Sequence, residues 1–370
     1  MKMYRNNILS MLLALLSVAG TYAQTPTTNH IEAGAVTLMP GDDETQYMTL
    51  TLIGTTLYAA YNVDVVLPEG VEPAYDEGDL VVYFDQNTIM PYKKMGQVQV
   101  PYHTISATYF ENDRTLRISC VSTSSAEFNQ DSGVLCYIGL VAGSYTKPGT
   151  LSTKLEGQNL TNKDAEKFIP AGATYENITI GTTGYASLNV SSANKWSTCI
   201  LPFATSLPKG LKAYTCSSKD DDKGVFYLKV ATAIDAFTPY VLYSESGYTG
   251  TLTGEVGEYP ASGTVTQGYL TGAIEKQTTN EGYVLQNKGD GVKFYLMDSG
   301  QSYTIPAGKC WATPPASTTQ SFSFDFPTAV NGIVEVAESK NESKYNLSGI
   351  MIDEPKNGQL YIQNGKKYVK

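Results

Sequence analysis

The sequence predicts an all-β protein with two tandem β-sandwich-type domains and a small C-terminal β-hairpin tail. Three observations predict this fold: short runs that alternate apolar and polar residues, Gly and Pro turn signals between those runs, and 27 Tyr against 2 Trp. Tyrosine favours strands, because its ring packs on a pleated surface while its hydroxyl reaches water. No stretch after Ala35 shows a helical period, so we expect strands throughout.

The first 23 residues have the layout of a cleaved signal peptide. Lys2 and Arg5 precede an apolar run over residues 8–19, and Thr21 and Ala23 are small. Such a run of about a dozen residues is shorter than the roughly 20 that a spanning helix needs. We therefore expect cleavage between Ala23 and Gln24, no transmembrane segment afterwards, and an extracellular or outer-cell-surface location.

Residues 24–181 read as the first β-sandwich. The runs over residues 47–53 and 61–67 alternate apolar and polar side chains, so each presents one face to a core and one to water. Leu67-Pro68-Glu69-Gly70 closes the second run, and Ser132-Gly133 opens another over residues 134–141. Regular spacing of such runs between turn signals is typical of a sandwich.

Several features of this region occur together in a known class of modules. Gly41 and the acidic Asp42-Asp43-Glu44 precede the first long run, residues 60–70 end in Leu-Pro-Glu-Gly, and residues 117–125 and 132–135 give a later strand pair. In this order they resemble the cohesin-like sandwich of bacterial extracellular proteins, which is related in shape to some carbohydrate-binding modules. The resemblance implies a binding scaffold and does not by itself imply a dockerin partner.

Residues 182–327 predict a second β-sandwich or barrel. Its strand candidates keep a period of two; they are residues 199–203, 210–216, 225–230, 239–243, 292–296, 302–306 and 322–326. The segments 184–188, 210–214 and 305–309 resemble, in this order, segments of surface proteins from anaerobic Gram-negative bacteria. That resemblance implies no activity.

The chain closes with a linker over residues 328–341 and a β tail over residues 342–370. Asn364-Gly365 lies between two alternating runs and is a strong hairpin signal, since both residues tolerate the positive φ of a type I′ turn. The tail resembles the sorting domain of type IX secretion, on the residues Tyr345, Gly349, Gly358, Tyr361, Lys366, Lys367 and Lys370. This resemblance implies contact with the export machinery, passage across the outer membrane and attachment to surface lipopolysaccharide. Gln359 departs from the family pattern, and a hairpin that only caps the preceding domain is the alternative.

The composition argues against two classes of function. A net charge of −10 opposes binding to nucleic acid, which depends on clustered Lys and Arg. Catalysis by an imidazole base would have to use His30 or His103, and no Gly-x-Ser-x-Gly elbow or zinc-binding motif accompanies them. We therefore predict no enzyme, no catalytic residue, no metal and no cofactor. Calcium at Asp42-Asp43-Glu44 or at Asp220-Asp221-Asp222 is the alternative.

Five cysteines, an odd number, cannot all pair within one chain. Cys120 and Cys136 lie on what read as consecutive strands, which makes them the best candidates for a disulfide. Buried thiols, which pack like small hydrophobic side chains, are the alternative for all five.

Aromatic residues crowd one stretch of the first sandwich. Tyr92, Tyr102 and Tyr109 are candidates for a ligand platform on which sugar rings stack. The alternative is that alternate tyrosines fill the core while the others decorate strand surfaces.

These observations predict a non-enzymatic extracellular or cell-surface binding protein, whose ligand is a polysaccharide or another surface protein. A structural or adhesive stalk or spacer, which acts through edge-strand or face contacts with other copies, is the second interpretation. A glycan-active enzyme is the third, and it would need a cleft lined by two carboxylates.

Overall fold

The computed structural model describes residues 29–315 and 317–325, together with the backbone of residues 344–346, 351–352, 360–363 and 366–369. Strands dominate these residues, and one 3-10 turn is present. The all-β prediction is confirmed. No helix in the described ranges is long and apolar enough to span a membrane.

The first region contains sixteen strands, and one 3-10 turn (Glu111–Asp113) lies between β11 and β12. The strands are β1 (His30–Ala33), β2 (Val36–Leu38), β3 (Gln46–Ile53), β4 (Ala60–Val66), β5 (Val71–Pro73), β6 (Tyr75–Asp76), β7 (Asp79–Leu80), β8 (Val82–Tyr83), β9 (Tyr92–Met95), β10 (Val98–Pro101), β11 (His103–Phe110), β12 (Thr115–Ser122), β13 (Gly133–Ala142), β14 (Gly149–Thr161), β15 (Lys167–Phe168) and β16 (Ala173–Ile180).

Two sheets of this region enclose one core. The five-stranded sheet has the order β1-β3-β13-β5, with β8 also paired to β13, and the seven-stranded sheet has the order β11-β12-β4-β14-β16-β2, with β15 beside β14. Strand β4 shows the cause of the layering, since Tyr61, Val63 and Val65 are fully buried while Asn62 is exposed. Each sheet buries the face that meets the other sheet.

The second region contains sixteen further strands. They are β17 (Thr183–Val190), β18 (Trp196–Cys199), β19 (Thr205–Ser206), β20 (Lys212–Asp220), β21 (Val225–Ala231), β22 (Ala233–Ile234), β23 (Tyr240–Tyr243), β24 (Tyr248–Glu255), β25 (Thr264–Gln267), β26 (Leu270–Ala273), β27 (Gln277–Thr279), β28 (Tyr283–Asn287), β29 (Val292–Leu296), β30 (Tyr303–Ile305), β31 (Cys310–Ala312) and β32 (Ser321–Asp325).

Ten of these strands form one sheet, β18-β23-β20-β21-β32-β29-β28-β31-β26-β25. Strand β20 is buried on both sides: Ala213 belongs to a core shared with the two-stranded β17–β24 sheet, and Tyr214 belongs to an aromatic core on the other side. The sheet is therefore covered on both faces where β20 crosses it.

The tail is larger than the predicted hairpin. Strands β33 (Lys344–Asn346), β34 (Met351–Ile352), β35 (Leu360–Gln363) and β36 (Lys366–Val369) form a four-stranded sheet. Gln363 pairs with Lys366, as the Asn364-Gly365 turn signal predicts. The boundaries expected near residues 181, 327 and 341 stay predictions.

Two hydrogen bonds connect the first and second regions. The Tyr145 hydroxyl donates to the Ile200 carbonyl at 2.5 Å, and the Tyr185 N–H donates to the Pro40 carbonyl at 2.7 Å. Gly308 lies against the Tyr145 ring with φ +83°, and a Cβ there would be 2.7 Å from the Tyr145 hydroxyl oxygen. Position 308 therefore requires glycine both for its backbone conformation and for space.

Candidate binding surfaces

The structure does not bring the three predicted platform tyrosines together. Tyr92 and Tyr102 flank the base of the β9–β10 hairpin, where the Tyr102 N–H donates to the Pro91 carbonyl at 3.1 Å. Tyr109 lies seven residues further along the chain in β11, which corresponds to about 23 Å of extended strand. Tyr92 and Tyr109 also pack partly against the core. The distance along the strand keeps the Tyr109 ring away from the other two rings. Partial burial leaves less of the Tyr92 and Tyr109 rings exposed to a ligand.

Three other tyrosines do form a cluster, on the outer face of the five-stranded sheet. Tyr47, Tyr83 and Tyr137 come from β3, β8 and β13, and we call them the tyrosine cluster. The Tyr83 and Tyr137 rings stack with centroids 5.3 Å apart, and the Tyr47 ring meets Tyr83 edge to face at 5.7 Å. Tyr47 is 46% exposed and Tyr83 is 39% exposed.

Strand register explains why this cluster forms. Tyr137 pairs directly with Tyr83, and Tyr47 pairs with Gly139, two residues further along β13. Gly139 adds no side chain that could separate the rings. Burial raises the pKa of Tyr83 and of Tyr137, and the nearby carboxylate of Asp85 raises both further. The hydroxyls therefore stay protonated and can donate hydrogen bonds at neutral pH.

A second surface lies on the outer face of the seven-stranded sheet, and we call it the polar face. Two cross-strand rows of small or polar side chains define it across β11, β12, β4 and β14. One row is Thr108, Arg117, Asp64 and Glu156, and the next is Ser106, Ser119, Asn62 and Asn159. All eight side chains are exposed or half-buried, so the face presents rows of hydrogen-bonding groups to solvent.

Arg117 is the centre of the polar face. Its Nε and one terminal nitrogen donate to the two carboxylate oxygens of Asp64, each at 2.8 Å. Its guanidinium also lies 5.3 Å from the Phe110 ring centroid. This bidentate contact with Asp64 raises the pKa of Arg117. Because this guanidinium is exposed to solvent, it can also donate hydrogen bonds to a carboxylate of a partner, either beside Asp64 or in its place.

His103 is buried in the first core. Its Nε2 lies 3.0 Å from the Ala59 carbonyl, and its ring centroid is 5.1 Å from that of Phe128. Burial lowers the pKa of His103, against the opposing effect of the Ala59 and Ala126 carbonyls. The imidazole is therefore a neutral core side chain with 3% of its surface exposed.

All five cysteines are buried, free thiols in the structure. Cys120 lies in β12 and Cys136 in β13, strands that are consecutive in sequence and belong to opposite sheets. The structure thus shows the thiol alternative at the candidate disulfide. Burial raises the pKa of Cys136 to about 12, and that of Cys120 is raised for the same reason.

At the candidate calcium turn Asp220-Asp221-Asp222, two carboxylates are in contact with other side chains of the protein. Asp220 pairs with Lys223 at 3.0 Å, and Asp221 pairs with Lys219 and accepts from the Ser317 hydroxyl. These contacts lower the pKa of both carboxyls. Within the described residues, no three His, Cys, Asp or Glu side chains are grouped to hold a metal ion.

Five of the predicted site residues lie outside the described residues, namely Ala23, Gln24, Gly349, Gly358 and Lys370. Tyr345 lies in β33, Tyr361 in β35, and Lys366 and Lys367 in β36.

Comparison with protein-family models and with curated proteins found no match. Solved cohesin structures are similar to this chain. A type I cohesin–dockerin complex from Clostridium thermocellum matches at 13% identity, covering 42% of this chain and 99% of that chain, with TM-score 0.31. A type II cohesin module of the ScaA scaffoldin from Acetivibrio cellulolyticus matches at 14% identity over 42% and 95% of the two chains, with TM-score 0.28. A non-cellulosomal cohesin from Archaeoglobus fulgidus matches at 14% identity over 42% and 92%, with TM-score 0.26.

Proposed function

We propose that the chain is a non-enzymatic binding protein whose first region binds a partner protein through the polar face. The observation that carries the proposal is the Arg117–Asp64 fork at the centre of four long, adjacent strands. Around it, Ser106, Ser119 and Asn62 offer donors and acceptors without bulky side chains. A flat partner surface can therefore approach closely and exchange solvent hydrogen bonds for direct ones.

Two apolar side chains extend the polar face at its corners. Phe110 is 41% exposed and Val121 is 49% exposed, at opposite ends of the β11–β12 pair. Binding interfaces combine such apolar anchors with a polar surround, and arginine and aromatic residues contribute most of the affinity. This composition supports binding of a protein over turnover of a substrate.

The proposal is tested with the mature chain immobilised on a sensor and exposed to envelope proteins of the bacterium that encodes it. Ser119→Arg places a bulky charge at the centre of the polar face and should abolish capture of the partner. Ser187→Arg makes the same change on β17 of the second region, where Ser187 is exposed, and should leave capture intact. Equal capture by both variants would refute the proposal.

A polysaccharide is the second candidate ligand, and the tyrosine cluster favours it. Sugar rings stack on aromatic faces through their C–H groups, and the exposed Tyr47 and Tyr83 rings offer such surfaces beside hydroxyl groups. In affinity electrophoresis through gels that contain neutral polysaccharides, Tyr47→Ala with Tyr83→Ala should remove any retardation. Tyr227→Ala, which removes a 36% exposed ring from the second region, is the matched control.

We also propose that the signal peptide and the tail direct the protein to the cell surface, as their sequences suggest. Deletion of residues 342–370 should leave the protein folded and trapped in the periplasm. Normal surface display of the truncated chain would contradict the role of the tail.

A further inference from the structure

Strand β11 ends the seven-stranded sheet and has a free edge. All eight of its residues pair with β12, and β12 is its single partner in the sheet. In the described part of the chain, residues 104–110 make no other backbone hydrogen bond. Alternate residues of an antiparallel strand direct their N–H and C=O groups to opposite edges, so about four residues present backbone donors and acceptors outward.

This edge is not protected by shortness, a bulge, a charged side chain or proline. Natural edge strands are short, bulged, or carry charged side chains or proline, because an open ladder attracts other strands. Strand β11 has eight residues, His103-Thr-Ile-Ser-Ala-Thr-Tyr-Phe110, without a charged residue or proline. Its register with β12 runs without a bulge. The edge is therefore available as a template for another strand.

A groove runs beside the free edge. It has a volume of about 430 Å³ and lies between Tyr75, Leu80 and Val82 on one side and Ile105 and Tyr109 on the other. Leu80, Val82, Ile105 and Tyr109 are only partly buried, although they pack against the main core. An added strand would cover the exposed parts of these apolar side chains and remove them from water.

The charged side chains around the groove are mostly acidic, which favours a basic ligand. Asp79 lies at one end, and Glu72 and Glu111 line an adjoining cavity of about 280 Å³ around Tyr75 and Tyr109. Arg114 is the one basic side chain among the residues that line these two cavities. A second copy of this chain would bring a second acidic groove, whereas a basic segment would complement the carboxylates.

We propose that the free edge of β11 binds an extended, basic peptide segment of a partner protein as an added strand. The peptide backbone pairs with the outward groups of β11. Alternate apolar side chains of the peptide enter the groove beside Leu80 and Tyr109. This site differs from the polar face, because it uses the edge of β11 and the side chains of Ile105, Ala107 and Tyr109, whereas the polar face uses the outward side chains; Thr108 borders both.

The test measures amide hydrogen exchange of the mature chain with two synthetic probes. One is the nonapeptide Lys-Thr-Val-Ser-Val-Thr-Val-Ser-Lys, and the other has Glu in place of both Lys residues. At saturation the basic peptide should slow exchange of alternate β11 amides at least tenfold, and the acidic peptide should not. Ala107→Lys places a charge in the groove and should weaken binding of the basic peptide at least tenfold. Ser106→Lys, on the polar face of the same strand and outside the lining of the groove, should preserve it.

Four results would overturn the proposal: no slowing with either peptide, equal slowing with both, slowing that grows with protein concentration in the absence of peptide, and slow exchange of all β11 amides in the free chain. The third result would assign the edge to a second copy, and the fourth to another segment of the same chain. The wild-type exchange data decide the question even if Ala107→Lys does not fold. Failure of the polar-face proposal leaves these measurements unaffected, because Ser106→Lys changes the polar face without changing a residue that lines the groove.

Discussion

The first and second regions bury their sheets in opposite ways. In the first region the long strands hide one face in a single continuous core and leave the other face open. In the second region, β20 contributes to separate cores on its two sides, and the aromatic rings are stacked inside, as Phe226 on Phe322. Ten of the twelve exposed large apolar side chains in the described residues belong to the first region. The exposed apolar side chains are therefore concentrated in the region for which we propose the binding surfaces.

The largest expected effect comes from the aromatic core of the second region. Phe226 is fully buried, and its ring centroid is 4.1 Å from that of Phe322. Phe226→Ala should lower the free energy of unfolding by about 3–5 kcal/mol, because it removes apolar contacts and leaves a cavity. In calorimetry, only the transition of the second region should move if the two regions fold as separate domains.

Tyr227→Ala is the control for that experiment, since the neighbouring ring points outward and should change the stability by less than about 0.5 kcal/mol. A single transition that shifts as a whole in Phe226→Ala would show that the regions unfold together, and the proposed domain boundary would then be wrong.

A pH scan should separate the two regions without any mutation. Because burial lowers the pKa of His103 in the folded state, the unfolded chain binds the proton more tightly. The stability that this difference provides is present above the unfolded pKa near 6.5 and is lost as pH falls through the lower, folded pKa. The limiting slope for one proton is about 1.4 kcal/mol per pH unit.

The second region supplies an internal control for the pH scan, because both histidines, His30 and His103, lie in the first region. His103→Gln should flatten the pH dependence of the first transition below about pH 6.5. An unchanged slope in this variant would show that another group causes the dependence.

The hydrogen bond between the regions should have a smaller effect. Tyr145→Phe removes the hydroxyl that donates to the Ile200 carbonyl and should cost about 1–2 kcal/mol, since it leaves a carbonyl without its partner. If the regions are coupled through this bond, their two calorimetric transitions should move apart in the variant. Identical separation in wild type and Tyr145→Phe would argue that the contact carries no coupling.

The periodicity of the sequence predicted the strands. Which side chains meet on a surface depends on pairing between strands that are far apart in the sequence. The alternation of β3 and β4 is visible in the chain, because Met48 and Leu50 are buried and Tyr47 is exposed. The tyrosine cluster was not predictable, since β8 has two residues and its pairing with β13 joins segments more than fifty residues apart. The Arg117–Asp64 contact spans 53 residues. The predicted platform of Tyr92, Tyr102 and Tyr109 stays a prediction, and it relied on closeness in sequence along β9 to β11, which is not the same as closeness in space.

The smallest expected change in stability accompanies the sharpest expected change in binding. Arg117→Ala removes an exposed ion pair, and water and salt screen such pairs strongly, so the melting temperature of the first region should hardly move. Capture of the partner should nevertheless fall at least tenfold if the guanidinium contacts it. Lys163→Ala removes another exposed ion pair, with Asp164, and should alter neither quantity. Loss of capture in both variants would show that the loss of any positive charge has this effect. Unchanged capture in Arg117→Ala would show that the polar face does not need its central side chain for binding.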